Sequence, residues 1–342
     1  MRILLTGATG ILGSEVDRLL TGTGHEVVGV ARRAAGSAVA WTIGHEPPPP
    51  AVRGPWDVIV HTAACTRWTM GRDEAAAANV APLRAVLDLA DNRTHLVHVS
   101  TAFVDLPPAP GRGANAEFDG RRNGYEWSKA RCEELLRASG RTRVTVIRPP
   151  LIIGRRTDGA IARFNGVYSM IHALTSGLGA VVVGSPDGRV EMAPVDVVAQ
   201  AAVDRALGPA PGAIRHDVVA AGADALTLAE LIAVIRGTLN AWRAARGLAP
   251  VDDPPLISGE SWHRFFLPFV REHLSPIQLE AVRLLGSFES YASMPAPFTP
   301  TYPVRDIAGA LATAVRYWAE TRPRAASAVP RPWTAAAPAL AS

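Results

Sequence analysis

The feature that most constrains the fold is a glycine-rich turn close to the amino terminus. It joins an apolar segment, Arg2–Leu5, to a segment with helical spacing of apolar residues, Leu12–Leu20. The turn has the spacing G-x-x-G-x-x-G and reads Gly7-Ala8-Thr9-Gly10-Ile11-Leu12-Gly13. Glycines let backbone N–H groups approach a pyrophosphate closely, and the amino terminus of the following helix adds a favourable dipole. A strand, this turn and a helix in that order predict a dinucleotide-binding βαβ unit.

Short apolar runs then alternate with helical patterns over the first half of the chain. Strands are predicted at Glu26–Val30, Asp57–His61, His95–Val99 and Arg143–Ile147, with helices at about 73–90 and 125–138. Because the strands are continuous apolar runs rather than alternating ones, both faces of their sheet should be covered. The pattern predicts an α/β fold: a Rossmann-type doubly wound parallel sheet with a smaller C-terminal substrate-binding region.

The same pattern divides the chain into three parts. Residues 1–150 are expected to form the nucleotide-binding core, to which strands from about 181–222 return. Residues 151–321 are expected to form a mixed, mainly substrate-binding region. The tail, 322–342, is biased towards alanine and proline, so we expect it to be disordered.

Composition excludes several classes of protein. Of the 342 residues, 48% are hydrophobic, and no apolar run approaches the ~18 residues of a membrane span. A formal charge of +4 is too mild to favour nucleic acid as a partner. Two cysteines, Cys65 and Cys132, make neither a disulfide scaffold nor a multi-cysteine zinc site. The amino terminus lacks the apolar core of an export signal, so we expect a cytoplasmic protein.

The end of the second predicted strand bears on which dinucleotide is bound. NAD-binding units usually carry an acidic residue about 20 residues after the glycines, whereas this chain reads Val30-Ala31-Arg32-Arg33. A guanidinium fits a 2′-phosphate through two charge-assisted hydrogen bonds, and a carboxylate would repel it. The sequence therefore predicts NADPH rather than NAD, with Arg32 as the contact. The alternative is a solvated basic pair on a loop.

A candidate acid–base pair occurs in the helix predicted over 125–138. Tyr125 and Lys129 are four residues apart and therefore share one helix face. A nearby lysine charge favours the phenolate, so Lys129 is expected to ease proton exchange by Tyr125. The hydroxyl residues Ser100 and Thr101 follow the strand His95–Val99, at the carboxyl edge of the sheet where α/β folds bind ligands. A hydroxyl there can donate to a carbonyl oxygen as negative charge develops on it.

These segments together resemble an extended short-chain dehydrogenase/reductase over about residues 1–205. The resemblance is carried by the glycine turn, Val60-His61-Thr62-Ala63-Ala64, Ser100-Thr101, Tyr125 with Lys129, and Arg148-Pro149. A narrower resemblance is to the fatty acyl-CoA reductase and thioester reductase branch, the male sterility group. It is carried by Ala64-Cys65-Thr66-Arg67-Trp68 with Ala78-Asn79-Val80, and by segments within 98–104 and 148–197.

The resemblance implies a catalytic set of Thr101, Tyr125 and Lys129, with Ser100 as a structural neighbour. It also implies that the nicotinamide ribose is held by Lys129, that Pro149 lies near the nicotinamide, and that the protein forms a homodimer. With the glycine turn and Arg32, the predicted cofactor-binding residues are Gly7, Thr9, Gly10, Ile11, Leu12, Gly13, Arg32, Ala63, Ala64, Lys129 and Pro149.

No metal site is predicted. His61 and His98 end buried strands and have no acidic or histidine partner at ligand spacing, so we expect hydrogen-bonded structural residues. Cys132 is expected in the core, and Cys65 is expected to be a small packing residue.

The sequence therefore predicts an NAD(P)-dependent oxidoreductase. Its expected activity is NADPH-dependent transfer of hydride to the carbonyl of an acyl thioester, aldehyde or ketone, small or carrier-bound, with a role in specialised metabolism. Two alternatives stay open at this point. One is a nucleotide-sugar epimerase or dehydratase with tightly bound NAD, and the other is a non-catalytic NAD(P)-sensing binding protein.

Overall fold

The computed structural model describes residues 1–106, 116–176, 181–270, 286 and 288–329. In this part of the chain the strands are β1 (Arg2–Thr6), β2 (Glu26–Ala31), β3 (Val39–Ala40), β4 (Val58–His61), β5 (His95–Val99), β6 (Val144–Arg148), β7 (Leu151–Ile153), β8 (Val182–Val183), β9 (Arg189–Val190), β10 (Met192–Pro194), β11 (Arg215–Ala220), β12 (Leu226–Thr227), β13 (Leu256–Ile257) and β14 (Tyr302–Pro303).

The α-helices of the same described part are α1 (Ile11–Leu20), α2 (Arg72–Ala75), α3 (Ala81–Leu89), α4 (Gly124–Ala138), α5 (Val167–Ser176), α6 (Val195–Leu207), α7 (Leu228–Ala244), α8 (Gly259–Ser261) and α9 (Leu267–Val270), followed by Ile307–Thr321 and Pro323–Ala326. Two π-helical turns, Ala76–Val80 and Trp262–Phe266, interrupt this series. Short 3₁₀ turns occur at Pro50–Val52, Ala102–Asp105, Ala116–Phe118 and Gly222–Asp224.

The chain divides into two compact units. The first comprises Met1–Pro150, Ala193–Ala220 and Phe298–Val304. The second comprises Leu151–Met192, Ala221–Pro297 and Arg305–Ser342.

An eight-stranded parallel sheet forms the centre of the first unit, in the order β14-β11-β6-β5-β4-β1-β2-β3. In register, Thr6 of β1 lies opposite His61 of β4, which lies opposite His98 of β5. The predicted fold class, a doubly wound parallel sheet of the Rossmann type, is confirmed.

Both faces of this sheet are covered by helices. Helices α1 and α6 pack together, and α6 contacts β4, β5 and β6. Leu4, Ile59 and Leu96 form one buried cluster with residues of α3 and α4, among them Leu83 and Cys132. The two helical layers explain why the strand sequences are continuously apolar rather than alternating.

The helix predicted over 73–90 contains an irregularity that the sequence pattern does not reveal. It begins as α2, widens into the π-helical turn Ala76–Val80 and continues as α3. Such one-residue insertions redirect side chains and are frequent at functional sites.

The second unit contains small paired strands and helices. β8 pairs in parallel with β13, and β9 pairs antiparallel with β12. α7 begins with a capping box formed by Thr227 and Glu230, and it packs against the helix Ile307–Thr321. Of the later strands expected to return to the large sheet, β11 is in it, whereas β8 lies in this second unit.

The tail differs in part from the expected disorder. Residues Pro323–Ala326 form a short helix, and the buried Arg243 donates hydrogen bonds to the carbonyls of Ala326 and Ala328. Paired carbonyls of this kind hold the segment 322–329 in place, and residues 330–342 lie outside the described residues. Within the described ranges, no helix is both long and apolar enough to cross a membrane.

Candidate active site

The glycine turn between β1 and α1 packs against the segment that follows β4. Gly7 has a φ of 75°, and a Cβ atom on it would lie 2.7 Å from the backbone nitrogen of Ala63. A Cβ atom on Gly13 would lie 2.0 Å from the carbonyl oxygen of Gly7. No side chain larger than hydrogen fits at either position, so the turn depends on glycine at both.

The amino terminus of α1 meets the requirements of a phosphate site. Gly10 is the N-cap residue and supplies no side-chain hydrogen bond to the first turn. The first-turn N–H groups of Ile11, Leu12 and Gly13 therefore have no capping side chain and can bind an anion. Thr9 is exposed beside them. These residues fit the pyrophosphate of a dinucleotide, as the sequence predicts.

Arg32 is exposed just beyond the end of β2. The glycine turn is tied to this strand because Ala8 N donates to the carbonyl of Val30 at 3.0 Å. Arg32 is thus two residues beyond Val30, the residue of β2 that is hydrogen-bonded to the turn. Its long side chain starts at the same sheet edge as the turn, where the predicted contact with a 2′-phosphate requires it.

Asn79 is a residue to which sequence reasoning assigned no role. It lies in the π-helical turn and is buried. Its Oδ1 accepts from Cys65 N at 2.7 Å, and its Nδ2 donates to Cys65 O at 3.0 Å and to Ser128 Oγ at 2.8 Å. The Asn79 clamp, defined by these three hydrogen bonds, joins the loop containing Ala63 and Ala64 to α4. The Ala78-Asn79-Val80 motif was the available signal.

Thr101 and Tyr125 are brought together, although they are 24 positions apart in the sequence. Thr101 Oγ1 donates to the carbonyl of Pro149 at 3.2 Å, and the Thr101 and Tyr125 side chains share a hydrogen bond. Because the Thr101 hydroxyl has one hydrogen, which points to Pro149, Tyr125 is the donor in this bond. Thr101 is buried, whereas Tyr125 is partly exposed.

The electrostatics of Tyr125 differ from the expectation. Burial raises the pKa of Tyr125, and the hydrogen bond with Thr101 only partly opposes that rise. The expected easing of proton exchange by Lys129 is therefore not seen, and Tyr125 is a protonated donor at neutral pH.

Lys129 lies one turn beyond Tyr125 and is 3% exposed. Its Nζ donates to the carbonyl of Val99, the last residue of β5, at 2.7 Å. Burial lowers the pKa of Lys129. Lys129 is also the only lysine in the chain, since the other 34 of its 35 basic residues are arginine. A single lysine among so many arginines indicates a position that needs an amine, because an ammonium and a guanidinium are not interchangeable.

His61 on β4 and His98 on β5 stack, with ring centroids 5.4 Å apart. His61 Nδ1 is 2.7 Å from Thr6 Oγ1, so His61 is hydrogen-bonded as expected. The expectation for His98 is wrong: neither of its ring nitrogens has a hydrogen-bond partner among the described residues. Burial and the nearby Lys129 charge lower the pKa of His61 to about 3 and that of His98 well below its usual range.

Acid should destabilise the protein through three buried histidines. Burial also lowers the pKa of His95, to about 4. Below pH ~6.5 the unfolded chain protonates these rings while the folded chain does not, so stability falls as pH falls. Each of His61, His95 and His98 should contribute about 1.4 kcal/mol per pH unit over the window from ~6 down to ~4.5. Urea unfolding between pH 7 and 5 measures this slope.

A matched pair of variants tests the origin of that slope. His98→Leu removes a ring with no hydrogen-bond partner among the described residues, so it should reduce the slope by about 1.4 kcal/mol per pH unit. His45→Gln, at an exposed histidine, should leave the slope as it is. An unchanged slope in His98→Leu would contradict the assignment of a neutral buried ring.

Comparison with known proteins places this geometry in a family. Residues 52–202 match the NAD-binding family described as male sterility protein. Over this segment the chain is similar to the male sterility family. The segment includes Thr101, Tyr125, Lys129 and the loop held by the Asn79 clamp. The resemblance predicted from the sequence, to extended short-chain dehydrogenase/reductases and their male sterility branch, is confirmed. So is the predicted class, an NAD(P)-dependent enzyme of that type. No curated protein matches the chain.

Solved structures share the fold of the whole chain. The terminal R domain from the myxalamid PKS-NRPS biosynthetic pathway is 18% identical, covering 94% of this chain and 90% of that one, with a TM-score of 0.66. The PhqB reductase domain from Penicillium fellutanum is 18% identical, covering 94% and 93%, with a TM-score of 0.65. UDP-glucose 4-epimerase from Bifidobacterium longum, in complex with NAD+ and UDP, is 14% identical, covering 95% and 100%, with a TM-score of 0.61. At such identities these likenesses show the fold alone.

Proposed function

We propose that this protein is an NADPH-dependent reductase that transfers hydride to a carbonyl group of an acyl thioester, an aldehyde or a ketone. The observation that carries the proposal is the hydrogen bond between the protonated Tyr125 and Thr101. It lies at the carboxyl edge of the parallel sheet, where the glycine turn also lies. A phenol held in its neutral form can give a proton to a carbonyl oxygen, which reduction requires. The similarity in fold to two reductase domains supports the same direction of reaction.

The roles of the chain's own groups follow from their positions. The glycine turn and the first turn of α1 would hold the pyrophosphate, and Arg32 the 2′-phosphate. The bound nicotinamide supplies hydride. Thr101 donates a hydrogen bond to the substrate carbonyl oxygen as charge develops, in place of its bond to Pro149. Tyr125 gives its proton to that oxygen, and Lys129, on the same face of α4 as Tyr125, would hold the ribose.

A screen of NADPH oxidation tests this function directly. The purified protein is mixed with NADPH and, in turn, with acyl-CoAs, carrier-protein thioesters, simple aldehydes and ketones, and keto-sugars. A reductase consumes NADPH with at least one carbonyl class and forms the matching aldehyde or alcohol. We expect the carrier-bound thioesters to react, because the similar structures include a thiolation-reductase di-domain. No consumption with any carbonyl class would contradict the proposal.

Arg32 should determine the preference for NADPH. Arg32→Ala should raise the KM for NADPH by about tenfold to a hundredfold, because a charge-assisted hydrogen bond to an anion contributes about 1.5–3 kcal/mol. The KM for NADH should change little, since that cofactor has no 2′-phosphate. Steady-state kinetics with both cofactors measure the two effects, and Arg33→Ala, one residue on, is the matched control. Equal changes for both cofactors would remove Arg32 from the phosphate site.

A nucleotide-sugar epimerase is the second candidate. It is favoured by the fold shared with UDP-glucose 4-epimerase over 95% of this chain. An epimerase of this kind keeps its dinucleotide through the reaction, so the purified protein would contain stoichiometric NAD+. Mass spectrometry of the acid-extracted protein distinguishes the two, since the proposed reductase should lose its cofactor on purification.

The cellular location and the oligomeric state complete the proposal. We retain the expected cytoplasmic location and the expected homodimer as predictions from the sequence. Sedimentation velocity at several protein concentrations tests the oligomeric state.

A further inference from the structure

A buried carboxylate lies one helical turn beyond Lys129. Glu133 is 2% exposed, and every one of its described partners is a hydrogen-bond donor. Ser100 Oγ donates to its Oε1 at 2.6 Å, and Arg148 donates from Nε at 2.9 Å and from Nη2 at 2.5 Å. Arg137 Nη2 lies 3.1 Å and His216 Nε2 3.3 Å from its Oε2. One side chain of α4 thereby binds Ser100, which directly follows β5, and residues of β6 and β11.

Two of these partners directly precede residues of the proposed active site. Ser100 precedes Thr101, and Arg148 precedes Pro149. The Pro149 carbonyl accepts from Thr101 Oγ1 at 3.2 Å and from Ala102 N at 2.9 Å. The carboxylate therefore holds both strand ends that determine where the Thr101 hydroxyl points. A shift of either end would move Thr101 relative to Tyr125.

Glu133 is also the ionised group next to Lys129. Burial alone would raise the pKa of Glu133, but hydrogen bonds from His216, Arg148 and Ser100 outweigh burial and hold it at about 2. Burial lowers the pKa of Lys129, and two neighbours on α4, Cys132 and then Glu133, oppose that lowering.

The other titratable groups around Lys129 are neutral at pH 7. Burial lowers the pKa of His61 on β4 and of His98 on β5, and it raises the pKa of Tyr125 and of Cys132 on α4. At pH 7 none of these four side chains carries a negative charge, the Cys132 thiol included, so Glu133 is the anion one helical turn from the buried ammonium.

We propose that Glu133 is a positioning residue of this site: it orients Thr101 through Ser100 and Arg148, and it places a negative charge one helical turn from the buried Lys129 amine. The inference deepens the proposed reductase function, on which its kinetic consequences rest. Its electrostatic part rests only on the contacts within the first unit. A purely structural role for Glu133 would stabilise the fold without altering the titration of Lys129.

Because Lys129 is the only lysine, its titration can be observed without interference. Protein made with lysine labelled with ¹³C at Cε should give one lysine signal, whose shift follows protonation of that amine. In Glu133→Gln the midpoint of this titration should move to lower pH. In Glu134→Gln, which removes an exposed carboxylate one residue further along α4, it should stay in place. Glu133→Asp keeps the charge and should restore most of the wild-type midpoint.

The NMR result separates this inference from the proposed function. The titration of Lys129 can be measured without turnover, so a protein that is inactive in the NADPH screen still tests whether the charge of Glu133 acts on Lys129. Coincident midpoints in the wild type and Glu133→Gln would overturn the electrostatic part.

A second variant tests orientation without leaving a buried charge unpaired. Ser100→Ala removes one hydrogen bond to Glu133, and it decides the proposal even where Glu133→Gln fails to fold. We expect kcat to fall about tenfold, with NADPH affinity and the Lys129 titration unchanged, because only the position of Thr101 is altered. Unchanged kcat in an active enzyme would overturn the orienting role.

Discussion

Replacing Tyr125 by phenylalanine should lower kcat for carbonyl reduction by about a thousandfold. Proton transfer by a positioned side chain contributes about 10²–10⁴ to the rate, and Tyr125 is the only phenol bonded to Thr101 in the described part of the chain. The affinity for NADPH should stay within about twofold, since the hydroxyl is assigned to the substrate rather than to the phosphates. Stopped-flow kinetics with the best substrate of the screen and NADPH fluorescence titration measure the two quantities.

The structure offers a matched control for this substitution. Tyr302→Phe removes another phenolic hydroxyl of the first unit, whose oxygen lies 3.1 Å from Asp204 at the edge of the sheet. That variant should keep its activity. If Tyr125→Phe retained wild-type kcat, the proton would come from another group and the proposed mechanism would be wrong.

Replacing Lys129 by arginine should lower kcat/KM by about a hundredfold or more, although it preserves the charge. Lys129 is 3% exposed, and its hydrogen bond among the described residues goes to the carbonyl of Val99. A guanidinium is larger and planar, and its fork of donors does not match one carbonyl oxygen. Overfilling so buried a position should also cost about 1–3 kcal/mol of unfolding free energy.

The composition of the chain provides an internal comparison for this substitution. It uses arginine at every other basic position, 34 times, so arginine is tolerated wherever charge alone matters. Arg131→Lys, at an exposed residue of the same helix, is the reverse substitution and should change neither kcat/KM nor urea stability. Wild-type activity in Lys129→Arg would show that the amine has no special role.

The strands of the sheet could be predicted from the sequence more completely than the contacts of the site. Strand positions such as His95–Val99 were predictable because a sheet buried on both faces leaves continuous apolar runs. Tyr125 and Lys129 could be named from their helical spacing and the pair Ser100 and Thr101 from the strand end, whereas the choice of Thr101 within that pair came from the family resemblance. The partners of these side chains could not be named, since Pro149 and Val99 act through carbonyl oxygens that every residue has.

Other features lay outside the reach of pattern reasoning. The unpartnered ring of His98 depends on which atoms lie beside it in three dimensions, and the sequence alone favoured an ordinary hydrogen-bonded histidine. Sequence reasoning assigned no role to Glu133. Only the approach of Ser100, just after β5, and of β6 and β11 shows that it is buried among donors.

The π-helical turn has a consequence for how the sequence around it can vary in length. An α-helix advances 100° per residue, and a π turn accommodates one residue more than an α turn of the same rise. Deleting a single alanine from Ala76–Ala78 would let the segment close into regular α-helix and rotate what precedes it relative to Asn79. The backbone could then keep its length while the amide lost its alignment with Cys65, so this stretch should tolerate substitution far better than deletion.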